Sequence, residues 1–355
     1  MNVKKSLKSL LIATIACMIM PSMGCCCTDF LLKAKDNSVV VGRSMEFGQI
    51  LPTAVKLFQK GERIQSAGYN NQNGMQWTSK YTYVGLYNSA ATAVMDGFNE
   101  KGLSLGLLWF PGAKYPNTPN AAPNTVINFI DLPNWILGNF SSVNEVTAAL
   151  TKINLFIGEV PGFPEAPPIH ISLHDASGKS AVIEFIEGKM HIFTNPIGVL
   201  TNAPEFPWHM TNLRNYINLS ALNKGAISID GTVLQPTGQG TGLLGVPGDW
   251  TPPSRFVRAA LFKQLLIPPK DAKAAILSAI HLLNTVDIPF GAIREGKSEG
   301  FDFTQWIVVK DLTNKKLYVR TYNNQNIQSI DLLENLNAHG GGSPLSVDLN
   351  IELPQ

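Results

Sequence analysis

Gly24-Cys25-Cys26-Cys27-Thr28 is the stretch from which the rest of the chain can be read. The sequence holds four cysteines: Cys17 in an apolar leader, these three in a row, and none after Thr28. A disulfide framework for the body of the protein is therefore excluded, because no second thiol remains to pair with the cluster. Three readings of the triplet stay open: a lipid anchor, a metal or redox tract, or a nucleophile exposed by cleavage.

The residues upstream have the build of an export signal. Lys4, Lys5 and Lys8 supply a positive start, and Leu10 to Met20 is an apolar run too short to span a bilayer comfortably. Pro21-Ser22-Met23-Gly24 then places Ser22 and Gly24 where a signal peptidase reads small residues. The expectation is a signal peptide and short propeptide over residues 1–26 and a single domain over 27–355. The product would be periplasmic or secreted, with no stable membrane span after processing. Gly24-Cys25 also loosely matches a lipoprotein cleavage box, with Ser22 where such boxes carry Leu.

A chain of 355 residues with 45 % apolar content can bury a large core. A net charge of +2, only 15 % charged residues and no basic stripe beyond the N-terminus argue against nucleic acid as a partner.

Short apolar runs flank turn residues repeatedly. Thr28 to Ala34 and Val39 to Arg43 enclose Asp36-Asn37, and Ile169 to Leu173 and Ala181 to Ile186 enclose Asp175-Ala176-Ser177-Gly178. Both read as hairpins. Leu103 to Trp109, Met190 to Phe193, Gly198 to Thr201, Trp306 to Val309 and Lys316 to Tyr322 read as further strands. Ser142 and Glu145 form a capping box that predicts a helix over Val143 to Leu150. Helices are also expected over Phe256 to Leu266 and Asp271 to Val286, the second with an apolar face of Ala274, Ile276, Leu277, Ile280, Leu282 and Leu283. Leu219 to Gly248, poor in charge and rich in Gly, Thr and Pro, reads as a long excursion. Without sustained βαβ alternation, the fold class is α+β, with antiparallel sheets sandwiched between helices.

The chemistry narrows by elimination. The glycines of Gly238 to Gly248 lack the Lys-Ser/Thr of a phosphate loop, and the six histidines form no His-x-x-x-His pair with a nearby Glu on a helix. His170 and His174 stand in a strand pattern and read as ordinary surface or core residues. No Gly-x-Ser-x-Gly elbow is present, and the cysteine triplet lacks the Cys-x-x-Cys spacing of metal and redox sites. An N-terminal nucleophile fits better. Were Cys27 the first residue, its α-amine, titrating near ~7.7–8.0, could serve as base for its own thiol.

Cys27-Thr28-Asp29-Phe30 and Gly42-Arg43-Ser44-Met45-Glu46 together resemble the choloylglycine hydrolase and penicillin V acylase family. Asp96 to Leu103, Gly198 to Pro204, Gly238 to Leu243, Gly248 to Phe256, Thr304-Gln305-Trp306 and Tyr322 to Gln325 extend the resemblance over nearly the whole chain. It implies a four-layer αββα sandwich, the N-terminal-nucleophile hydrolase fold, and hydrolysis of a linear amide C–N bond. It also chooses Cys27 among the three thiols, because only Cys27 precedes a Thr and stands sixteen positions before Arg43. Cys25 and Cys26 then become propeptide.

By matched position the resemblance implies Cys27 as nucleophile and base, Arg43 beside its sulfur, and Asn202 with the Trp109 backbone N–H as oxyanion donors. Arg255 would complete the site, Glu46 would stand where relatives carry the aspartate that holds the amine, and Met45 would line the substrate pocket. No metal or organic cofactor is implied. The partner is a small N-acyl amide: penicillin V, an N-acyl homoserine lactone or a conjugated bile salt. An indole at Trp109, where bile-salt enzymes often have Asn, favours a flat or flexible acyl group. Relatives are commonly dimers or tetramers and carry an assembly loop at the Leu219 to Gly248 excursion, so a homo-oligomer is expected. The competing expectation is an exported binding protein for amphipathic ligands, lipid-anchored at Cys25.

Overall fold

The computed structural model describes residues 25–295, 299–338, 349 and 351. Residues 1–24 of the expected leader (1–26), and His339, lie outside the described residues.

Two seven-stranded sheets form the centre. The first contains β1 (Cys25–Lys33), β2 (Val39–Phe47), β14 (Val199–Leu200), β17 (Ile293–Glu295), β18 (Glu299–Asp311), β19 (Lys316–Thr321) and β20 (Gln328–Asp331). Its order is β14-β1-β2-β18-β19-β20, with β17 paired to β18 off that path. The second contains β3 (Thr53–Phe58), β6 (Tyr83–Asn88), β7 (Ala93–Asn99), β8 (Ser104–Trp109), β11 (Ile169–His174), β12 (Ser180–Ile186) and β13 (Lys189–Thr194), in the order β13-β12-β11-β8-β7-β6-β3. Short pairs complete the β structure: β4 (Arg63–Ala67) with β5 (Asn73–Thr78), β9 (Val126–Asn128) with β10 (Asn154–Phe156), and β15 (Ile227–Ile229) with β16 (Thr232–Leu234).

Helices α4 (Pro252–Leu265) and α5 (Ala272–Asn284) cover the first sheet through β1 and β2. On the far side, α1 (Leu132–Asn139) packs on β7 and β8, and α2 (Val143–Leu150) adds Val143, Val146 and Leu150 to the same apolar layer. The chain is thus an α+β protein in the αββα arrangement. The remaining helices, α3 (Phe206–Asn212) and α6 (Leu332–Ala338), lie after β14 and β20.

Local signals account for these elements. Asn37, at φ 70°, turns β1 into β2, and Asn tolerates that left-handed conformation. Ser142 caps α2 by accepting from the Glu145 N–H at 3.3 Å. The Glu145 carboxylate reaches back to the Ser141 N–H at 2.7 Å instead of closing the box on Ser142. Asp271 caps α5 through the Ala274 N–H at 2.8 Å. α4 begins at Pro252, four residues before the expected Phe256, because Pro suits a first helical turn whose N–H groups lack partners anyway. The buried face of α5 is Ala275, Ile276, Ala279, Leu282 and Leu283. Leu277, expected on that face, is exposed, since it stands about 100° round the helix from Ile276. The Leu219 to Gly248 excursion carries the exposed β15–β16 hairpin.

β18 bears an irregularity that decides what faces the sheet interface. Thr304 pairs with Glu46 and Trp306 with Met45, so Gln305 is an extra residue on β18. The bulge sets Trp306, and by alternation Lys310, on the same face as Met45 and Arg43. Gln305 itself donates from Nε2 to the carbonyls of Phe47 (3.0 Å) and Gln49 (2.6 Å) and accepts from the Leu51 N–H (3.1 Å). It thereby pins the turn from β2 into β3.

Candidate active site

Alternation along β1 separates two faces. Cys27 and Asp29 point between the sheets, whereas Cys26 and Thr28 point toward α4. Cys26 and Cys27 are both buried free thiols. Burial pushes the Cys26 thiol up to about 11, so at neutral pH it is inert.

Cys27 Sγ lies 3.8 Å from Arg43 Nη2 and 3.8 Å from the Met45 sulfur, its cross-strand neighbour. Arg43 is fully buried. Its Nη2 also donates to the Leu107 carbonyl, and its Nη1 donates to the Met95 carbonyl and to Asp96 Oδ2, each at 3.1 Å. Burial opposes a charge there, but Asp96, Cys27 and Asp29 outweigh it and hold the guanidinium above its ordinary pKa.

Asn202 and Arg255 flank the other side of Cys27. Asn202 Oδ1 accepts from the Cys27 N–H at 2.8 Å and from Arg255 Nη2 at 2.6 Å, while its Nδ2 donates to the Trp109 carbonyl at 2.7 Å. Two donors on the oxygen and one acceptor on the nitrogen fix the amide's orientation, and Nδ2 keeps a second hydrogen. Arg255 also bonds the Cys27 carbonyl, Thr28 Oγ1 (2.8 Å) and the Trp250 carbonyl (2.9 Å), tying the start of β1 to α4. His209 Nε2 reaches the Asn202 carbonyl at 2.9 Å, and His170 Nε2 reaches the Thr201 carbonyl at 3.0 Å. Both histidines are thus buried props of the Asn202 segment, and burial pushes His209 down to about 4.

Trp109 closes β8. The Phe110 N–H donates to the Pro168 carbonyl at 2.7 Å, making that pair a hydrogen-bonded one. In an antiparallel ladder the neighbouring Trp109–Ile169 pair is then of the open kind, with the Trp109 N–H and C=O directed away from β11. The carbonyl meets Asn202, and the N–H is aimed to the same side. Glu46 lies on the α4 face, opposite Cys26. Its Oε1 accepts from Thr304 Oγ1 at 2.9 Å, and burial pushes it up to about 8 against the pull of Arg255. The Cys27 nitrogen, expected on that carboxylate, donates instead to Asn202 Oδ1.

Above the sulfur opens a cleft. Its wall is almost wholly apolar. Phe47, Trp109 and Phe163 pack against one another, with ring centroids 5.6 Å (Phe47–Trp109), 6.4 Å (Trp109–Phe163) and 6.5 Å (Phe47–Phe163) apart. Met45 lines the same cleft, as expected. Sequence reasoning missed what lies beneath Arg43: a buried layer in which Asp96, Lys310, Asp29, Ser172 and His174 touch in series.

The sequence profile of the linear amide C–N hydrolases, choloylglycine hydrolase family, matches residues 27–341. The chain belongs to that family. It is a hydrolase of linear amide C–N bonds. A bile salt hydrolase/transferase of Clostridium perfringens is 33 % identical over 88 % of this chain and 94 % of that protein. A penicillin V acylase of Pectobacterium atrosepticum is 28 % identical over 91 % of this chain and 85 % of that protein. In structure, a mutant conjugated bile acid hydrolase from Clostridium perfringens superposes with a TM-score of 0.79 at 31 % identity, covering 93 % of this chain and 99 % of that one. A non-catalytic binding protein is not favoured by this membership.

Proposed function

We propose that Cys27, freed of the residues before it, is an N-terminal nucleophile that hydrolyses N-acyl amides with an apolar acyl group. The observation that carries this reading is the place of one sulfur, at the floor of an apolar cleft and 3.8 Å from a buried guanidinium. The family match that starts at Cys27 supports the same residue.

In this scheme the α-amine of Cys27 takes the thiol proton and the thiolate, facing Arg43, attacks the substrate's carbonyl carbon. Negative charge passes to the carbonyl oxygen, met by the Trp109 N–H and the second hydrogen of Asn202 Nδ2. Collapse breaks the C–N bond, the α-ammonium protonates the departing nitrogen, and the acyl group stays on sulfur as a thioester. Water, deprotonated by the amine, then attacks the thioester and releases a carboxylic acid and the thiol. The scheme uses no metal or organic cofactor. Loss of Cys26 opens space beside Glu46, into which the new ammonium fits as the carboxylate's partner.

The aromatic wall favours an aryl or alkyl acyl group, as in penicillin V or an N-acyl homoserine lactone, over the hydroxylated steroid of a bile-salt conjugate. Four exposed apolar side chains on the β15–β16 hairpin, Ile227, Ile229, Val233 and Leu234, support a homo-oligomer assembled through this excursion. A periplasmic or secreted location follows from the leader. The test is amine release from penicillin V, an N-acyl homoserine lactone and a glycine-conjugated bile salt by the processed protein. Hydrolysis of either of the first two, abolished by Cys27→Ser, is expected; a preference for the bile salt overturns the substrate class, and activity surviving in Cys27→Ser overturns the nucleophile.

A further inference from the structure

We propose that Lys310 is a positioning residue for the reaction: it neutralises Asp96, so that Asp96 aims Arg43 at Cys27 without cancelling the charge Arg43 presents to the sulfur. This inference rests on Cys27 being the nucleophile.

Arg43 is aimed from several sides. Asp96 Oδ2 and two main-chain carbonyls take its terminal N–H groups, and the Trp306 ring lies with its centroid 5.5 Å from the guanidinium carbon. Only Asp96 among these is an anion. A carboxylate 3.1 Å from Nη1 fixes the guanidinium plane, but it also opposes the positive potential felt at Sγ, 3.8 Å from Nη2. Inside a protein such terms are far larger than in water. An aiming carboxylate on its own would weaken the cation it aims.

Lys310 removes the conflict. Its Nζ donates to the same oxygen, Asp96 Oδ2, at 2.9 Å, and lies 4.0 Å from Asp29 Oδ2. All four side chains are fully buried. The fixed charges that face this layer are Arg43 from β2, Lys310 from β18, Asp96 from β7 and Asp29 from β1, and they sum to zero. His174 from β11 adds its Nε2 to Asp29 Oδ1 at 2.5 Å, and Glu46 faces the other side of the sheet. Burial alone would raise the Asp29 carboxyl, yet His174, Lys310 and Ser172 hold it well below the usual carboxylate range. The layer therefore favours the ionised form of Asp29. Without Lys310, one carboxylate is left uncompensated within reach of the thiolate.

Gly106 shows how closely the layer is fitted. A Cβ there would sit 3.0 Å from Arg43 Nη1, 3.0 Å from Asp96 Oδ2 and 3.4 Å from Asp29 Oδ2. The absent side chain is what lets β8 approach the charges. Lys310 reaches them only because the Gln305 bulge sets its register.

The test is the pH dependence of Cys27 alkylation by iodoacetamide in the processed protein, read by peptide mass spectrometry. Lys310→Gln is expected to raise the midpoint by about one pH unit, slow alkylation about tenfold at pH values below both midpoints, and lower kcat with KM held within about twofold. Lys310→Arg is expected to restore the wild-type midpoint. As a safeguard against a poorly folding single variant, Lys310→Gln is also placed on Asp96→Asn, where, with no carboxylate left for Lys310 to neutralise, the midpoint should stay close to that of Asp96→Asn alone. A midpoint unmoved by Lys310→Gln in the otherwise wild-type protein, with only a lower Tm, overturns the proposal and leaves Lys310 a structural residue, and an equally large shift on Asp96→Asn overturns the route through Asp96. A wild-type midpoint at the ordinary thiol value near ~8.5 would instead count against Cys27 as the activated nucleophile.

Discussion

The same two sheets enclose two opposite environments on either side of one sulfur. Above Cys27, Phe47, Trp109 and Phe163 wall an apolar cleft; below it, Arg43, Asp96, Lys310 and Asp29 form a layer of ion pairs with no exposure to water. The two regions lie a few residues apart along β2 and β8, so the contrast comes from side chains and not from topology. Apolar surface gives affinity without direction, and it asks only that the acyl group be shed from water. Buried charge gives direction and reactivity, but it is tolerated only when each member is paired. On the proposed mechanism, binding and activation are divided between the two sides of Cys27.

Breaking the junction itself should have the largest effect. Cys27→Ser is expected to lower kcat by at least about 10³-fold with substrate binding retained, measurable by single-turnover acylation and by ligand binding to the variant. Removing the charged side's contact with sulfur comes next. Arg43→Gln should reduce kcat/KM by about 10²-fold, mostly through kcat, and shift the alkylation midpoint of Cys27 upward. Loss confined to KM would place Arg43 in binding. On the apolar side, Trp109→Ala should raise KM about tenfold for an aryl acyl substrate while kcat changes little, since the main-chain donor remains. A large fall in kcat with unchanged KM would contradict the division.

The smallest effect sharpens the role of Glu46. In a chain that retains Cys26, this carboxyl has its pKa raised from 4.5 to about 8 by burial. A raised acid contributes stability that is fully present below the unfolded value and is lost as pH rises through the folded one. The Tm of the unprocessed chain should therefore fall between about pH 5 and pH 8, and Glu46→Gln should flatten that fall by several degrees. In processed protein the ammonium of Cys27 should remove most of the slope. A slope that survives processing unchanged would separate Glu46 from the amine.

Much of the frame was readable because its signals are local. The β1–β2 hairpin is marked by Asp36-Asn37, α2 by Ser142 and Glu145, and α5 by Asp271. Cys27, Arg43, Met45, Trp109, Asn202 and Arg255 were nominated by matched position, and all six gather at one place in the fold. β3 to β6, which span Thr53 to Asn88, carry no comparably clear turn-and-strand signal, and α1 and α3 lack a side-chain cap. The charged layer was hidden for a different reason. Lys310 and Asp96 are 214 residues apart, and His174 and Asp29 are 145 apart, so their contact exists only after both sheets have formed. His174 reads in sequence as an ordinary strand histidine, and Lys310 falls just past the expected Trp306 to Val309 strand. Neither residue type predicts burial on its own. The bulge at Gln305 is equally silent, although it sets which face Lys310 takes.

The central claim is that Cys27 acts with its own amine, and one measurement addresses it directly: the intact mass and N-terminal sequence of the mature protein purified from its native host. The account predicts a chain that begins at Cys27 with an unmodified amine. A chain that begins at Cys25 bearing lipid would contradict it, because the amine needed as base would not exist.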